Sequence, residues 1–220
     1  MTTSRHRAPR QLAPDHLIVA ATSLEQGVRW IADKLGVQPQ SGGKHVTMGT
    51  HNALLRVGPR LYLEIIATDP AGVVPARPRW FDLDEPRMRA MLAEGAALIH
   101  WVARTRDIGE DAPRCPEALG AITPMERGDL AWRMTIPDDG HLPARGIVPT
   151  LIQWPDARHP ADRLPETGLE LVTLAAEHPD PAPVRAALGA LGLSDTLKVS
   201  YGRSPRLAAM LRTPRGTVTL

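Results

Sequence analysis

The chain has 220 residues, of which 43% are hydrophobic and 23% charged, with a formal net charge of +2. That length suits one large domain or two small ones, with a core of Leu, Ile, Val and Ala, since only one Phe and two Tyr occur. No run of about 18 apolar residues exists, so no transmembrane helix is expected. The stretch up to Pro14 carries Arg5, Arg7 and Arg10 without the apolar segment of a secretory signal, and residues 1–13 are expected as a disordered tail. The lone Cys115 makes neither an intramolecular disulfide nor a Cys-based zinc site, which points to a cytoplasmic protein. The basic residues are scattered arginines with few aromatics between them, so neither nucleic acid nor membrane is an expected partner.

In chain order, Asp15–Ala21 reads as a buried strand. Ser23 caps a helix whose Leu24, Val28, Ile31 and Leu35 share one stripe, and Gly36 sits where a left-handed residue would end it. Gly42-Gly43 turns the chain. Strands are then expected at about 44–48, 50–57 and 60–67, the last two joined by a hairpin at Gly58-Pro59. The unit is βαβββ.

The unit recurs. Ala97–Arg104 is a second first strand, followed by a weaker helical stretch at Ile108–Leu119 and strands near 121–127, 130–136 and 147–154. A third copy runs from Leu169 to the C-terminus, with Leu191-Gly192 matching Leu35-Gly36. Segment 76–95 is expected to be a linker with one helix carrying Met88, Met91 and Leu92, and 155–168 is a proline-rich linker. The expected fold class is therefore α+β, built of repeated βαβββ modules. Its parts are a domain over 14–168, with modules at about 15–67 and 97–154, and a third, degenerate module over 169–220 packed on it. An odd number of modules leaves a sheet edge to cover, and a homodimer through the third modules is one way to cover it.

Alternation along a strand puts His16 on one face with Ile18 and Ala20, and His100 on one face with Leu98 and Val102. Glu64, in the last strand of copy one, lies among apolar residues, where a carboxylate is costly unless paired, hydrogen-bonded or bound to metal. Gln153 lies in the last strand of copy two. Two imidazoles and a carboxylate are a ligand set for Zn, Ni, Mn or Fe(II). His51 and His45 are further acid–base candidates beside turns or on the second and third strands. Cys115, Asn52 and Tyr201 carry less signal, and neither a phosphate loop nor a hydrolase nucleophile elbow occurs.

Asp15-His16-Leu17-Ile18-Val19-Ala20, Gly49-Thr50-His51-Asn52-Ala53-Leu54-Leu55 and Tyr62-Leu63-Glu64-Ile65-Ile66-Ala67 resemble the glyoxalase-like branch of the vicinal oxygen chelate superfamily. The resemblance covers about residues 14–180. It implies two βαβββ modules cupped around a divalent metal, with ligands at His16, Glu64, His100 and Gln153. Gln153 departs from the commoner acidic residue, although glutamine serves as a ligand in some glyoxalases. Val172 stands where His16 does in the third module, which is expected to lack a metal and to pack in apolar surroundings.

The implied activity is that of a metal-dependent lyase or isomerase acting on a small substrate with vicinal oxygens, the metal serving as Lewis acid and Glu64 and His51 as catalytic groups. Two alternatives stand beside it. With Fe(II), His16, His100 and Glu64 would form the triad of a ring-cleaving dioxygenase. A metal-free protein would simply hold its ligand in the cup, a reading that the scarcity of aromatics weakens.

Overall fold

The computed structural model describes residues 12–155 and 158–220; most of the expected N-terminal tail (residues 1–11) lies outside them. Strand β1 (Ala13–Ala20) forms from a β-branched and aliphatic run. Thr22 and Ser23 end it and begin α1 (Leu24–Leu35). The Ser23 hydroxyl accepts from the Gln26 amide at 3.2 Å, while the Gln26 side chain reaches back to the amide and hydroxyl of Thr22. Gly36 stops the helix in the left-handed conformation, at φ 71°. The stripe Leu24, Val28, Ile31 and Leu35 meets the sheet as expected, with Ile31 and Leu35 fully buried.

Strands β2 (Gln40–His45), β3 (Thr50–Gly58) and β4 (Leu61–Thr68) complete the first module. After α2 (Pro86–Glu94) come β5 (Ala97–Arg104), the short α3 (Ile108–Asp111), β6 (Ala121–Arg127), β7 (Leu130–Ile136) and β8 (Thr150–Gln153). The second helix is one turn where twelve residues were expected, since Pro113 and Pro116 remove amide donors from its continuation. The two modules form one eight-stranded sheet in the order β2-β3-β4-β1-β5-β8-β7-β6. Its edge strands β2 and β6 touch, so the sheet curls into a cup.

Two clusters share the interior. On the convex face, Leu17, Val19, Leu63, Ile65, Trp101 and Ala103 pack against α1 and the C-terminal unit. On the concave face, Ile18, Ala20, Ile66 and Val102 meet Trp80, Phe81, Trp132 and Met134. Residues 158–169 include the one-turn α4 (Pro160–Arg163).

The C-terminal unit keeps the expected β-α-β-β-β order: β9 (Glu170–His178), α5 (Pro181–Ala190), β10 (Leu197–Tyr201), β11 (Arg206–Thr213) and β12 (Gly216–Thr219). Its pairing is its own, however. Its four strands lie in the order β10-β9-β11-β12, whereas the first strand of module one pairs with its fourth. Val172 is 44% exposed rather than packed, because the pairing of β9 with β11 skips it: Thr173 pairs with Met210 and Leu171 with Leu211, so the alternation that buries Leu174 and Ala176 breaks at Val172.

Gly27 tests the fit of α1 on the sheet. A Cβ there would lie 2.6 Å from the Ile65 Cγ2 methyl and 3.0 Å from Ala21 Cβ. Helix propensity favours Gly27→Ala by up to about 1 kcal/mol, but overpacking a rigid core costs about 1–3 kcal/mol. Net destabilisation of about 1 kcal/mol is therefore expected in urea melts. A midpoint equal to or above that of wild type would show that helix and sheet are looser than described.

Candidate active site

The two halves of the cup meet where β1 runs antiparallel to β5. Leu17 faces Trp101, His16 faces Val102, and Ile18 faces His100. A local twofold through the Leu17–Trp101 pair therefore relates His16 to His100. The register skips one residue on each strand, at Asp15 and at Ile99, and the same twofold relates these two bulges. The second bulge also moves Leu98 off the face of His100, so Leu98 packs on the convex side.

The bulge at Asp15 lets two consecutive side chains meet. Asp15 Oδ1 accepts from His16 Nδ1 at 2.7 Å. Its other oxygen, Oδ2, accepts from Trp154 Nε1 at 3.0 Å and from His159 Nε2 at 3.1 Å. His159 Nδ1 accepts the Ala161 amide at 3.2 Å, so the proton of this ring is on Nε2. Burial pushes the Asp15 carboxyl up, but the bonds and charges of His159 and His16 outweigh it and hold Asp15 far below the ordinary carboxylate range. An ionised Asp15 only accepts, which places the near proton of His16 on Nδ1. The other imidazole nitrogen, Nε2, faces Glu64 Oε2 at 3.4 Å. Tyr62 stacks on the His16 ring at 4.7 Å.

Glu64 reaches the cup because β4 pairs parallel with β1, Glu64 beside Ile18. The Asn52 amide donates to its Oε1 at 2.5 Å, and His45 Nε2 lies 3.8 Å from the same oxygen. Burial raises its pKa; His16, His45, Asn52 and Arg127 together overcome that and leave it below the ordinary value. Burial lowers His45 to about 4, despite the pull of Glu64. The neutral His45 ring can then donate from Nδ1 to Thr50 Oγ1 at 3.1 Å, with Arg127 Nη1 3.4 Å from its Nε2. Arg127 comes from β6 and lies across Gly43, where a Cβ would sit 3.0 Å from its Cδ. This contact joins the two rims of the cup.

Module two repeats the backbone without the charges. His100 is fully buried; its Nδ1 donates to Gly146 O at 2.9 Å, and its Nε2 accepts the Thr150 amide at 3.1 Å, with Thr150 Oγ1 at 3.0 Å. The Phe81 ring covers it at 5.6 Å. Val102 pairs with Thr150 as Ile18 pairs with Glu64, so Thr150 is the twofold mate of Glu64 and Ile99 that of Asp15. The expected mate, Gln153, is three residues too far along. Its side chain instead accepts from the Ile108 amide at 3.0 Å and Arg133 at 2.7 Å and donates to Arg106 O at 2.9 Å. His51 is likewise displaced, because the odd positions of β3 take the convex face with Ala53 and Leu55. Its buried Nε2 has no partner, and His45 stands at Glu64 in its place.

The expected ligands thus divide into an adjacent pair, His16 and Glu64, and two residues engaged elsewhere. Among the described residues no group of three or more His, Cys, Asp and Glu is arranged to hold a metal. With the Nε2 of His100 taken by an amide and a guanidinium beside His45 and Glu64, the side chains do not fit the implied four-ligand centre.

Between His16, His45, Glu64 and Arg127 lies a cavity of about 20 Å³, room for a water. Its walls are Tyr62, Trp80, Phe81, Trp132 and Trp154, so the few aromatics of the chain are concentrated here, contrary to the expectation of a cup poor in rings. The Trp80 indole N–H is buried without a partner. Arg127 and Trp132 also line an outer groove of about 930 Å³ with Lys44, Thr47 and Arg133. Asp15, Arg127, Trp154 and His159 were not legible as site residues; the Asp15-His16 dipeptide was the one available signal.

Burial also holds His100 at about 4. Both His45 and His100 fall from 6.5, so the unfolded chain takes up protons first. Their contribution to stability is complete above about pH 6.5 and is lost as pH falls towards 4, by up to about 3 kcal/mol for each. Asp15 and Glu64, also depressed, add their own loss at lower pH. His100→Gln should flatten the dependence of melting temperature on pH between 6.5 and 4; an unchanged slope would show that His100 is not buried as the neutral ring.

The family described as "Glyoxalase-like domain" matches residues 15–192. A hypothetical protein from Staphylococcus aureus superposes with a TM-score of 0.59 at 15% identity, over 95% of this chain and 84% of that one. Methylmalonyl-CoA epimerase from Mycobacterium tuberculosis gives a TM-score of 0.45 at 19% identity, over 69% of this chain and 95% of that one. No curated protein matches. With the family match spanning most of the chain and the paired βαβββ modules in one cupped sheet, the chain belongs to the glyoxalase-like domain family.

Proposed function

We propose that the protein is a small-molecule isomerase or lyase that moves a proton next to a carbonyl or carboxylate group, using Glu64 and His16 as acid–base pair and Arg127 as the stabilising cation. The observation that carries this reading is a buried, ionised Glu64 beside a histidine whose other nitrogen is fixed by Asp15. Fixing Nδ1–H on Asp15 leaves Nε2 to give or take a proton in the cavity. The resemblance of this family to metal enzymes suggests Lewis-acid help, but the donors do not fit it, so the residues must do the work themselves.

In this mechanism Glu64 or His16 removes a proton from the carbon next to the carbonyl. The electron pair moves onto the carbonyl oxygen, giving an enolate whose charge is offset by Arg127 and by the free Trp80 N–H. Return of the proton to the other face gives epimerisation; expulsion of a group from the next carbon gives elimination. Because the inner cavity has room only for a water, the substrate body lies in the outer groove, and its reacting carbon reaches Glu64 only when Arg127 or Trp132, which line both spaces, swings aside; Lys44, Arg127 and Arg133 favour an anion there. A protein that only holds its ligand is the second reading, favoured by the five rings around the cavity.

Solvent-exchange measurements separate these readings. Carboxylic acids with an exchangeable neighbouring C–H, incubated with the protein in D₂O, should show catalysed loss of that proton signal by NMR. Glu64→Gln should slow exchange by at least about 100-fold, the usual scale for a general base. Arg127→Ala, which removes the cation opposite the enolate, should slow exchange as well as weaken binding. Saturable binding without exchange would select the holding protein. Exchange that chelator abolishes and zinc, manganese or iron restores would return the metal to the site and overturn the proposed mechanism.

A further inference from the structure

A second pocket, of about 570 Å³, lies outside the cup, where α1, α2, β5 and the C-terminal unit meet. Its apolar floor includes Met88, Leu142 and Leu207, each under 9% exposed, with Trp30 on one side. Asp82 is the acid within it, and its charge is already spent: Arg87 and His141 donate to it, and Oδ1 also accepts the Leu142 amide at 3.0 Å. Two other wall residues, Arg145 and Arg206, have no ion pair among the described residues. Among the described residues the pocket therefore combines an apolar floor with two arginines at its rim that have no ion pair.

The backbone at that rim is held in a costly form. Ala144 and Arg145 are consecutive L-residues in the left-handed region, at φ 43° and φ 60°. Such residues are sterically disfavoured and persist only where the surroundings impose them. The next residue, Gly146, has φ 95°, and a Cβ there would meet Ile99 O at 2.2 Å, so the turn is pinned against β5. It places Arg145 at the pocket.

We propose that this pocket is a second binding site, separate from the cup, for an amphipathic monocarboxylate. The hydrocarbon part lies on Met88, Leu142 and Leu207, and the carboxylate lies between Arg145 and Arg206. The volume is in the range of small-molecule sites, about 300–1,000 Å³, and an apolar lining with a few polar groups is their usual chemistry. Guanidinium groups match a carboxylate in shape as well as charge.

Calorimetric titration with sodium octanoate tests this, with octan-1-ol as the uncharged control. Saturable binding of one octanoate is expected, at least tenfold tighter than octanol. The double variant Arg145→Glu/Arg206→Glu should weaken octanoate tenfold or more and leave octanol unchanged. Met91, 43% exposed on the pocket wall, offers a variant that spares the core: Met91→Trp should block both ligands. Arg127→Ala, which removes the cation of the cup, should leave this one octanoate bound with the affinity of wild type, any second binding event lost with Arg127 belonging to the cup. No saturable binding, equal affinity for octanol, binding that survives both the charge reversal and Met91→Trp, or all binding lost in Arg127→Ala would each overturn the proposal.

Discussion

The buried carboxylate of Asp15 is the constraint around which the cup is organised. A charge fully removed from water is tolerable only when its lone pairs are matched by donors, and here three side chains supply them. The donors come from three places: His16 from β1 itself, Trp154 from just after β8, and His159 from the start of α4. One ion thus ties the middle of the sheet to the end of module two and to the segment that leads into the C-terminal unit. That segment is more than a tether, for its Ala161 and Leu164 pack with Leu54 and Tyr62, and Tyr62 is the ring beneath His16. Removing any of the three donors would leave the others to balance a buried anion, so the tautomer of His16 and the position of this wall are maintained together.

The same backbone symmetry carries opposite chemistry in its two halves. The twofold relates Asp15 to Ile99, His16 to His100 and Glu64 to Thr150. In the first half each position can carry charge. In the second half only the histidine remains, and burial and the Thr150 amide keep it neutral. A histidine with both nitrogens bonded to backbone groups reads as a structural element. One with a single nitrogen anchored and the other facing a carboxylate reads as a reactive element. The residue type is identical, and its neighbours decide the role.

This is also why the sequence revealed so much of the fold and only part of the site. Hydrophobic period and punctuation placed β1, β3 to β8 and α1 within a few residues, because Ser23, Gly36 and Gly58-Pro59 are local signals with local causes. They also put His16 and Glu64 on concave-facing strand positions. Gln153 was misplaced because strand pairing is a long-range property: the four residues of β8 carry no mark showing which of them lies beside Val102. His51 was chosen over His45 because the true neighbour of Glu64 closes β2, which was expected to start four residues later. Bulges are silent in composition, so nothing short of coordinates brings Asp15 round to His16. The aromatic count misled for a related reason: a chain with few rings can still place most of them around one cavity.

The segment joining the two modules completes the asymmetry. Residues 80–82 turn into the cup with Phe81 and Asp82 in the left-handed region, at φ 61° and φ 57°, a conformation that non-glycine residues adopt at a cost. The turn is held by the Gly140 carbonyl on the Asp82 amide and by the Asp82 carboxylate on the Leu142 amide. It delivers two stacked rings to the concave face, Phe81 against His100 and Trp80 against His45. Phe81 thereby caps the half of the cup whose histidine is already satisfied. Trp80 walls the half where His16, Glu64 and Arg127 meet, leaving its N–H unpaired there. The linker therefore adds by packing to the difference that Thr150 in place of a carboxylate makes by chemistry: of the two twofold-related halves of the cup, only one keeps charged side chains around its histidine.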